Sequence, residues 1–208
     1  MTNDCQRDST DLRPAVFTIG HSNQSLDSLL ALLQRHEVSV VIDTRSIPRS
    51  RVAPQFDKQI LGPALRSIGI LYAHKLALGG RPRSKDFYDP DGHVRYDLIA
   101  KAKSFQAAVT RIQRGAQGGH RIALLCAEES PVHCHRRLLI GRVLRERGVE
   151  LEHIRRDGRV QTEAELMREA GHGVRDHQVA LFDHDGDAAW RSIRSVSPRS
   201  RPGDSSSS

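Results

Sequence analysis

Cys126, Glu128, Cys134, His135 and Arg136 fall within one short stretch, RIALLCAEESPVHCHRRLLIGRVLRER, running from Arg121 to Arg147. These residue types can carry thiol chemistry. A cysteine thiolate is a strong nucleophile, an imidazole beside it serves as base, and a carboxylate orients that base or acts as acid. Cys126 closes the apolar run Ile122-Ala123-Leu124-Leu125, where a strand hands side chains to a loop. His135 or His21 is the candidate base and Glu128 the candidate orienter or acid. The plainer alternative is that Cys126 packs as a small buried hydrophobe.

The start of the following helix, at Cys134-His135-Arg136, offers free backbone N–H groups, the helix dipole and a guanidinium, all favourable to phosphate or carboxylate. Ser22 and Arg45 are further candidates to bind such an anion. Alternatively, Arg136 forms a structural ion pair with Asp43 or Glu128. A Cys126–Cys134 redox couple is open, although the C-x7-C spacing differs from the C-x-x-C of thioredoxin-type sites. Metal binding by Cys126, His133, Cys134 and His135 is disfavoured, because three of the four are consecutive and their side chains should diverge. No metal is therefore expected, and no cofactor either, since G-x-x-x-x-G-K-[ST] and G-x-G-x-x-G are both missing. The phosphatase pattern of Cys, five residues and Arg fails, with Val132 and Ile140 at the required Arg positions. No G-x-S-x-G elbow occurs. Asp183-His184-Asp185-Gly186-Asp187 resembles a calcium loop without its bidentate Glu and reads as a solvated acidic loop.

The elements that must position these groups follow from apolar runs and breakers. Ala15 to Ile19 reads as a strand ending in Gly20-His21-Ser22-Asn23. Ser25 caps a helix with the stripe Leu26, Leu29, Leu30 and Leu33. Val38 to Ile42 is a second strand, delivering Asp43-Thr44-Arg45. Ser46 to Phe56 is an ordered loop or a lid, and Pro63 belongs to a helix first turn. Ile70 to Ala73 is a third strand. Gly79-Gly80-Arg81-Pro82 marks a turn. Asp97 caps a helix with Phe105, Ala108, Val109 and Ile112 inward. The fourth strand starts at Ile122 and the fifth spans Val149 to Ile154. Thr162 and Glu165 form a capping box for a last helix. Strand and helix alternate, which predicts an α/β fold: three layers, a mostly parallel central sheet of about five strands, helices on both faces. Right-handed crossovers put the strand-end loops on one edge, so His21-Ser22, Asp43 with Arg45, and Cys126 with Glu128 should meet there.

The chain has 208 residues, a net charge of +7 and only 4% aromatic residues. The charge favours anionic partners: a phosphate, a nucleotide or nucleic acid, with Arg45, Arg49, Arg51, Arg81 and Arg83 as a basic rim. Residues 1–14 read as a flexible tail without a signal peptide's apolar core, 15–175 as one α/β domain, and 176–208 as a disordered, basic, Ser-rich tail. The three cysteines do not form a disulfide framework, so a reducing cytoplasm is expected. No apolar run is long enough for a membrane span.

Thr18-Ile19-Gly20-His21-Ser22, Asp43-x-Arg45 with Pro48 and Ser50, Leu78-Gly79-Gly80, and Leu125-Cys126-Ala127-Glu128 leading to Cys134-His135-Arg136 resemble the family called domain of unknown function 488. The resemblance spans about residues 15 to 160. Family members usually read Asp-Val-Arg at Asp43-Thr44-Arg45, a change expected on a side chain facing away from the site. The resemblance implies a compact α/β fold in bacterial cytoplasmic proteins and supplies no activity, substrate or catalytic residue. Two functions are therefore carried forward. One is an enzyme acting on a phosphorylated or nucleotide-like substrate, with Cys126, His135, Glu128, Asp43 and His21 in the chemistry and Ser22, Arg45, Cys134 and Arg136 on the anion. The other is a non-catalytic nucleic-acid-binding module. Oligomeric state is not legible.

Overall fold

The computed structural model describes residues 16–171 and 190–196. The expected N-terminal tail, the acidic loop at 183–187 and the rest of the C-terminal tail lie outside the described residues. A six-stranded sheet in the order β3-β2-β4-β1-β5-β6 forms the middle layer. Its strands are β1 Val16–Gly20, β2 Val40–Asp43, β3 Leu71–His74, β4 Ile122–Cys126, β5 Leu151–Ile154 and β6 Val160–Thr162. β1 to β5 pair in parallel, and β6 adds an antiparallel edge through Ile154↔Val160. Every residue of β1 and β4 is buried, as expected of strands with helices over both faces.

Alternation along the strands splits the core in two. Phe17, Ile19, Val41, Ala123 and Leu125 point to the face covered by α1 (Leu26–Arg35) and α2 (Lys58–Ser67). Val16, Ile122 and Leu124 point to the face covered by α3 (Tyr96–Lys101), α4 (Lys103–Gln117) and the helix after β4. That last helix winds as a π-helix over Arg136–Gly141 and continues as α5 (Arg142–Glu146). The connection leaving β1 thus runs over one face and the connection leaving β4 over the other. The carboxyl ends of these adjacent strands form a switch point, where open α/β sheets bind ligands.

Local chemistry explains most boundaries. The Ser28 N–H donates to Ser25 Oγ at 3.1 Å to start α1, and Thr162 with Glu165 closes the expected capping box on α6 (Glu163–Glu169). Four expectations are corrected. Pro63, expected in a helix first turn, lies inside α2, because the helix already starts at Lys58. A sixth strand exists, because Val160–Thr162 folds back on β5 through a turn around Gly158 (φ 84°). Asp97 lies inside the first turn of α3 and pairs with Arg95 at 2.9 Å, so it is not the cap. Residues 190–196, expected within a structureless tail, are docked. Trp190 Nε1 donates to Leu138 O at 2.8 Å, and the Tyr96 N–H donates to Trp190 O at 2.8 Å. Ser192 is buried beside Val94.

Candidate functional site

At the end of β4, Cys126 faces the α5 side of the sheet, where the chain returns with Cys134 and His135. His135 Nδ1 lies 3.8 Å from Cys126 Sγ and 3.8 Å from Cys134 Sγ. The other ring nitrogen, Nε2, is 3.1 Å from Thr44 O. A carbonyl only accepts, so Nε2 carries a proton and Nδ1 is the atom turned to the sulfurs. His135 is thereby held from behind by β2's end and aimed at β4's end. Gly80 makes this possible, since a Cβ there would stand 2.5 Å from His135 Cγ. Gly79 likewise abuts Ser46, whose Oγ accepts from the Arg81 N–H at 2.9 Å. The Leu78-Gly79-Gly80 motif is thus a close-packing device, beyond the turn that its composition suggests.

The charges follow from this packing. A hydrogen bond from Cys134 holds the Cys126 thiol well below the ordinary thiol range, against burial and with the help of His135. Burial, and then the negative charge forming on Cys126, push Cys134 well above that range. Burial alone would lower His135, but the charge of Cys126 and the bonds to Cys126 and Thr44 outweigh it and raise the imidazole. Cys126 as thiolate, Cys134 as thiol and His135 as imidazolium form the self-consistent state. Arg136 supports it. Its guanidinium is 1% exposed, and no carboxylate among the described residues pairs with it. A buried cation without a carboxylate favours an anion nearby, and the charge of Arg136 helps to lower Cys126.

Arg136 also donates to Glu128 O, to Glu129 O at 2.6 Å and to Thr18 Oγ1 at 3.3 Å. It therefore ties down the loop after β4. It takes the carbonyl of Glu128, whereas the structural ion pair weighed from sequence would have used a carboxylate. Behind it, Thr18 Oγ1 donates to His153 Nδ1 at 2.8 Å, and His153 Nε2 donates to Glu163 at 3.1 Å. Burial keeps His153 neutral, as this chain of bonds requires. Gly20 admits the loop: a Cβ there would lie 1.8 Å from Glu128 O.

A second constellation sits on the opposite face of the sheet. Asp43 accepts from Arg45 at 2.6 and 2.9 Å and from Tyr72 Oη at 2.7 Å, all of it buried or half-buried. Arg45 also donates to Phe56 O at 2.8 Å and, through Nη1, approaches His21 Nε2 at 3.1 Å. His21 Nδ1 donates to Ser22 O at 2.8 Å, so its Nε2 lone pair is already taken by Arg45. Burial lowers His21, in keeping with a neutral ring stacked on Phe56. The two constellations meet at Thr44, whose carbonyl holds His135 while Arg45 follows it in the chain.

The sequence profile of the family described as Domain of unknown function DUF488 matches residues 25–143, more than half of the chain. The chain belongs to the DUF488 family. Neither the curated proteins nor the solved structures contain a match.

In this DUF488 chain the predicted site residues separate into three groups. Cys126, Cys134 and His135 converge. Asp43, Arg45 and His21 form the second cluster, and both Arg45 and Arg136 have their guanidinium groups buried against protein acceptors. Neither is exposed to clamp an anion. Glu128 and Ser22 stand at the rim, Glu128 exposed and close enough to act electrostatically on Cys134 and His135. Arg81, which follows Gly80 in the chain, is exposed. Cys134 and His135 were expected to diverge and do not. Cys134 belongs to the turn closed by its N–H on Pro131 O at 3.1 Å, whereas His135 opens the helix. Their donor atoms and Cys126 Sγ lie within 4.8 Å of one another, close enough to hold a soft metal ion, with exposed His133 outside the group. Asp89, Asp91 and His93 form another such group on the 88–94 turn. A surface hollow lined by Glu129, Arg155, Arg156, Asp157 and Arg159 lies by the β5–β6 hairpin, its Arg155 and Arg159 already paired to acids. Among the described residues no helix is long and apolar enough to cross a membrane. Tyr72, His153 and Glu163 were not singled out as site residues, because each acts through a partner that only the fold brings to it, and Thr18 and Thr44 stood only within the quoted motifs. Thr44 is buried, and its Oγ1 donates to Leu125 O at 2.9 Å.

Proposed function

We propose that the chain is a thiol-dependent enzyme in which Cys126 is the nucleophile and His135 its proton partner. The observation that carries this reading is His135 itself: Nδ1 at 3.8 Å from Cys126 Sγ with Nε2 anchored on Thr44 O. A nucleophile, a base and an orienting acceptor in line are the arrangement that activates a thiol. Cys134 donates to the Cys126 sulfur and steadies its charge. Glu128, exposed at the rim, relays protons with solvent. Asp43, Arg45 and His21 shape the β2 end and hold the loop that ends at Phe56.

The substrate is a small anionic molecule, phosphorylated or nucleotide-like. The net charge of +7 and the exposed Arg81, which follows the Gly80 packed on His135, support this choice. Because Arg45 and Arg136 are committed within the protein, Arg81 takes the anion in their place. Incubation with a panel of nucleotides and phosphorylated metabolites, followed by intact-mass measurement, tests the reading. A covalent adduct on Cys126 that disappears in Cys126→Ser is expected, with Arg81→Ala raising KM more than it lowers kcat. Turnover that persists undiminished in Cys126→Ser would rule the nucleophile out. Nucleic-acid binding that falls steeply with salt and ignores Cys126→Ser would instead favour a non-catalytic binding module.

A further inference from the structure

We propose that Cys126 and Cys134 form a two-thiol couple that reduces hydroperoxides, Cys126 as the attacking thiol and Cys134 as the resolving one. The proposal rests on the reading of Cys126 as the reactive thiol and adds a substrate class and a second step.

Placement assigns the two roles. Both sulfurs face one imidazole nitrogen at 3.8 Å, and all three atoms lie within 4.8 Å of one another. Cys126 is 6% exposed at the strand end, whereas Cys134 is 1% exposed behind it. The more open Cys126 meets the oxidant first, and Cys134 is shielded. The groups around Cys126 suit O–O cleavage, which releases hydroxide and needs positive charge and a proton at the leaving oxygen. His135 supplies the proton, and the buried Arg136 supplies charge. A resolving thiol must sit close to the oxidised sulfur and must ionise when needed. Cys134 meets both conditions, with Arg136 Nη1 at 3.8 Å to stabilise its thiolate.

In the first step the Cys126 thiolate attacks one peroxide oxygen. An S–O bond forms, the O–O bond breaks, and the departing hydroxide takes the proton of the His135 imidazolium and leaves as water. Cys126 is now a sulfenic acid, and one peroxide oxygen has been reduced to water. In the second step neutral His135 takes the Cys134 proton, and the Cys134 thiolate attacks the Cys126 sulfur. The S–S bond forms as the S–O bond breaks, and the leaving hydroxide recovers that proton as a second water. The sum is one thiolate, one thiol, one imidazolium and one hydrogen peroxide giving a disulfide, neutral imidazole and two waters. An external dithiol restores the pair. The sulfurs, within 4.8 Å of one another, close to bonding distance by side-chain rotation.

The test uses the full chain with Cys5→Ser, so that only the two site thiols respond. Stoichiometric hydrogen peroxide should consume both thiols and yield a Cys126–Cys134 disulfide by peptide mapping. The rate at neutral pH should be roughly tenfold or more above that of the same chain in denaturant, as a lowered thiol pKa implies. Cys134→Ser should stop at a sulfenic acid trapped by dimedone, and Cys126→Ser should leave Cys134 unreacted. Three results overturn the proposal: oxidation no faster than in denaturant, Cys126 passing to sulfinic acid without a disulfide, or bound zinc that protects both thiols until it is chelated. If Cys126 alkylates rapidly yet no disulfide forms, the couple falls and the nucleophile stands. If Cys126 resists alkylation as well, both fall.

Discussion

His135 and His21 look equivalent in sequence, each beside a strand end, yet their second nitrogens separate them. His135 spends Nε2 on a carbonyl and keeps Nδ1 for the sulfurs, whereas His21 gives its lone pair to Arg45. The same distinction divides the two carboxylates. Asp43 is fully buried in an ion pair, and removing one partner of such a pair leaves the other charge uncompensated. Asp43→Asn should therefore destabilise the fold by about 3 kcal/mol in urea unfolding. Glu128→Gln, on an exposed side chain, should stay within about 0.5 kcal/mol. Equal effects would mean that Asp43 is not the structural member. Cys126, Cys134 and His135 were legible as candidates because a thiol at a strand end and a histidine at a helix start are local features. Which histidine serves the thiol was not, since that depends on a carbonyl 91 residues away in the chain.

At the scale of elements, the strand ends set the geometry and the loops fasten it. Gly80 admits the His135 ring, so Gly80→Ala should displace the imidazole and move the pH midpoint of Cys126 labelling upward, with little loss of helicity. An unchanged midpoint would show that Gly80 serves the turn alone. The α6 N-terminus braces the other side through Glu163, which accepts from Arg137 at 2.7 Å and from His153 at 3.1 Å. Burial opposes its ionisation, but the bonds to His153 and Arg137 win and hold Glu163 at about 2, below its ordinary 4.5. A folded-state value below the unfolded one adds stability above the unfolded value. That contribution is full above pH 4.5 and is lost as pH falls toward about 2. Glu163→Gln should flatten the acid limb of the stability curve in this window, and an identical acid limb would exclude the brace. The apolar runs of β1 and β4 made the parallel sheet legible in advance. β6 was missed because Val160–Thr162 is short and half polar and becomes a strand only by pairing with β5.

For the molecule as a whole, the connections from β1 and β4 part to opposite faces and place the thiol centre at the switch point between them. That location followed from strand-helix alternation together with handedness, before any side-chain contact was known. The division of the polar residues into two clusters on opposite faces did not, because it rests on the parity of Asp43 and Cys126 along their strands. Nor did the docking of residues 190–196, which one tryptophan anchors. Trp190→Ala should lower stability by about 2 kcal/mol and leave Cys126 labelling unchanged, as unfolding and labelling experiments would show. The central claim is that the fold holds Cys126 as a thiolate paired with the His135 imidazolium. The most direct measurement is the rate of iodoacetamide alkylation of Cys126 across pH, read by peptide mass, in the native chain and in His135→Gln. The account predicts a midpoint well below the ordinary thiol value of about 8.5 in the native chain and an upward shift in the variant. A midpoint at the ordinary value in both proteins would contradict it.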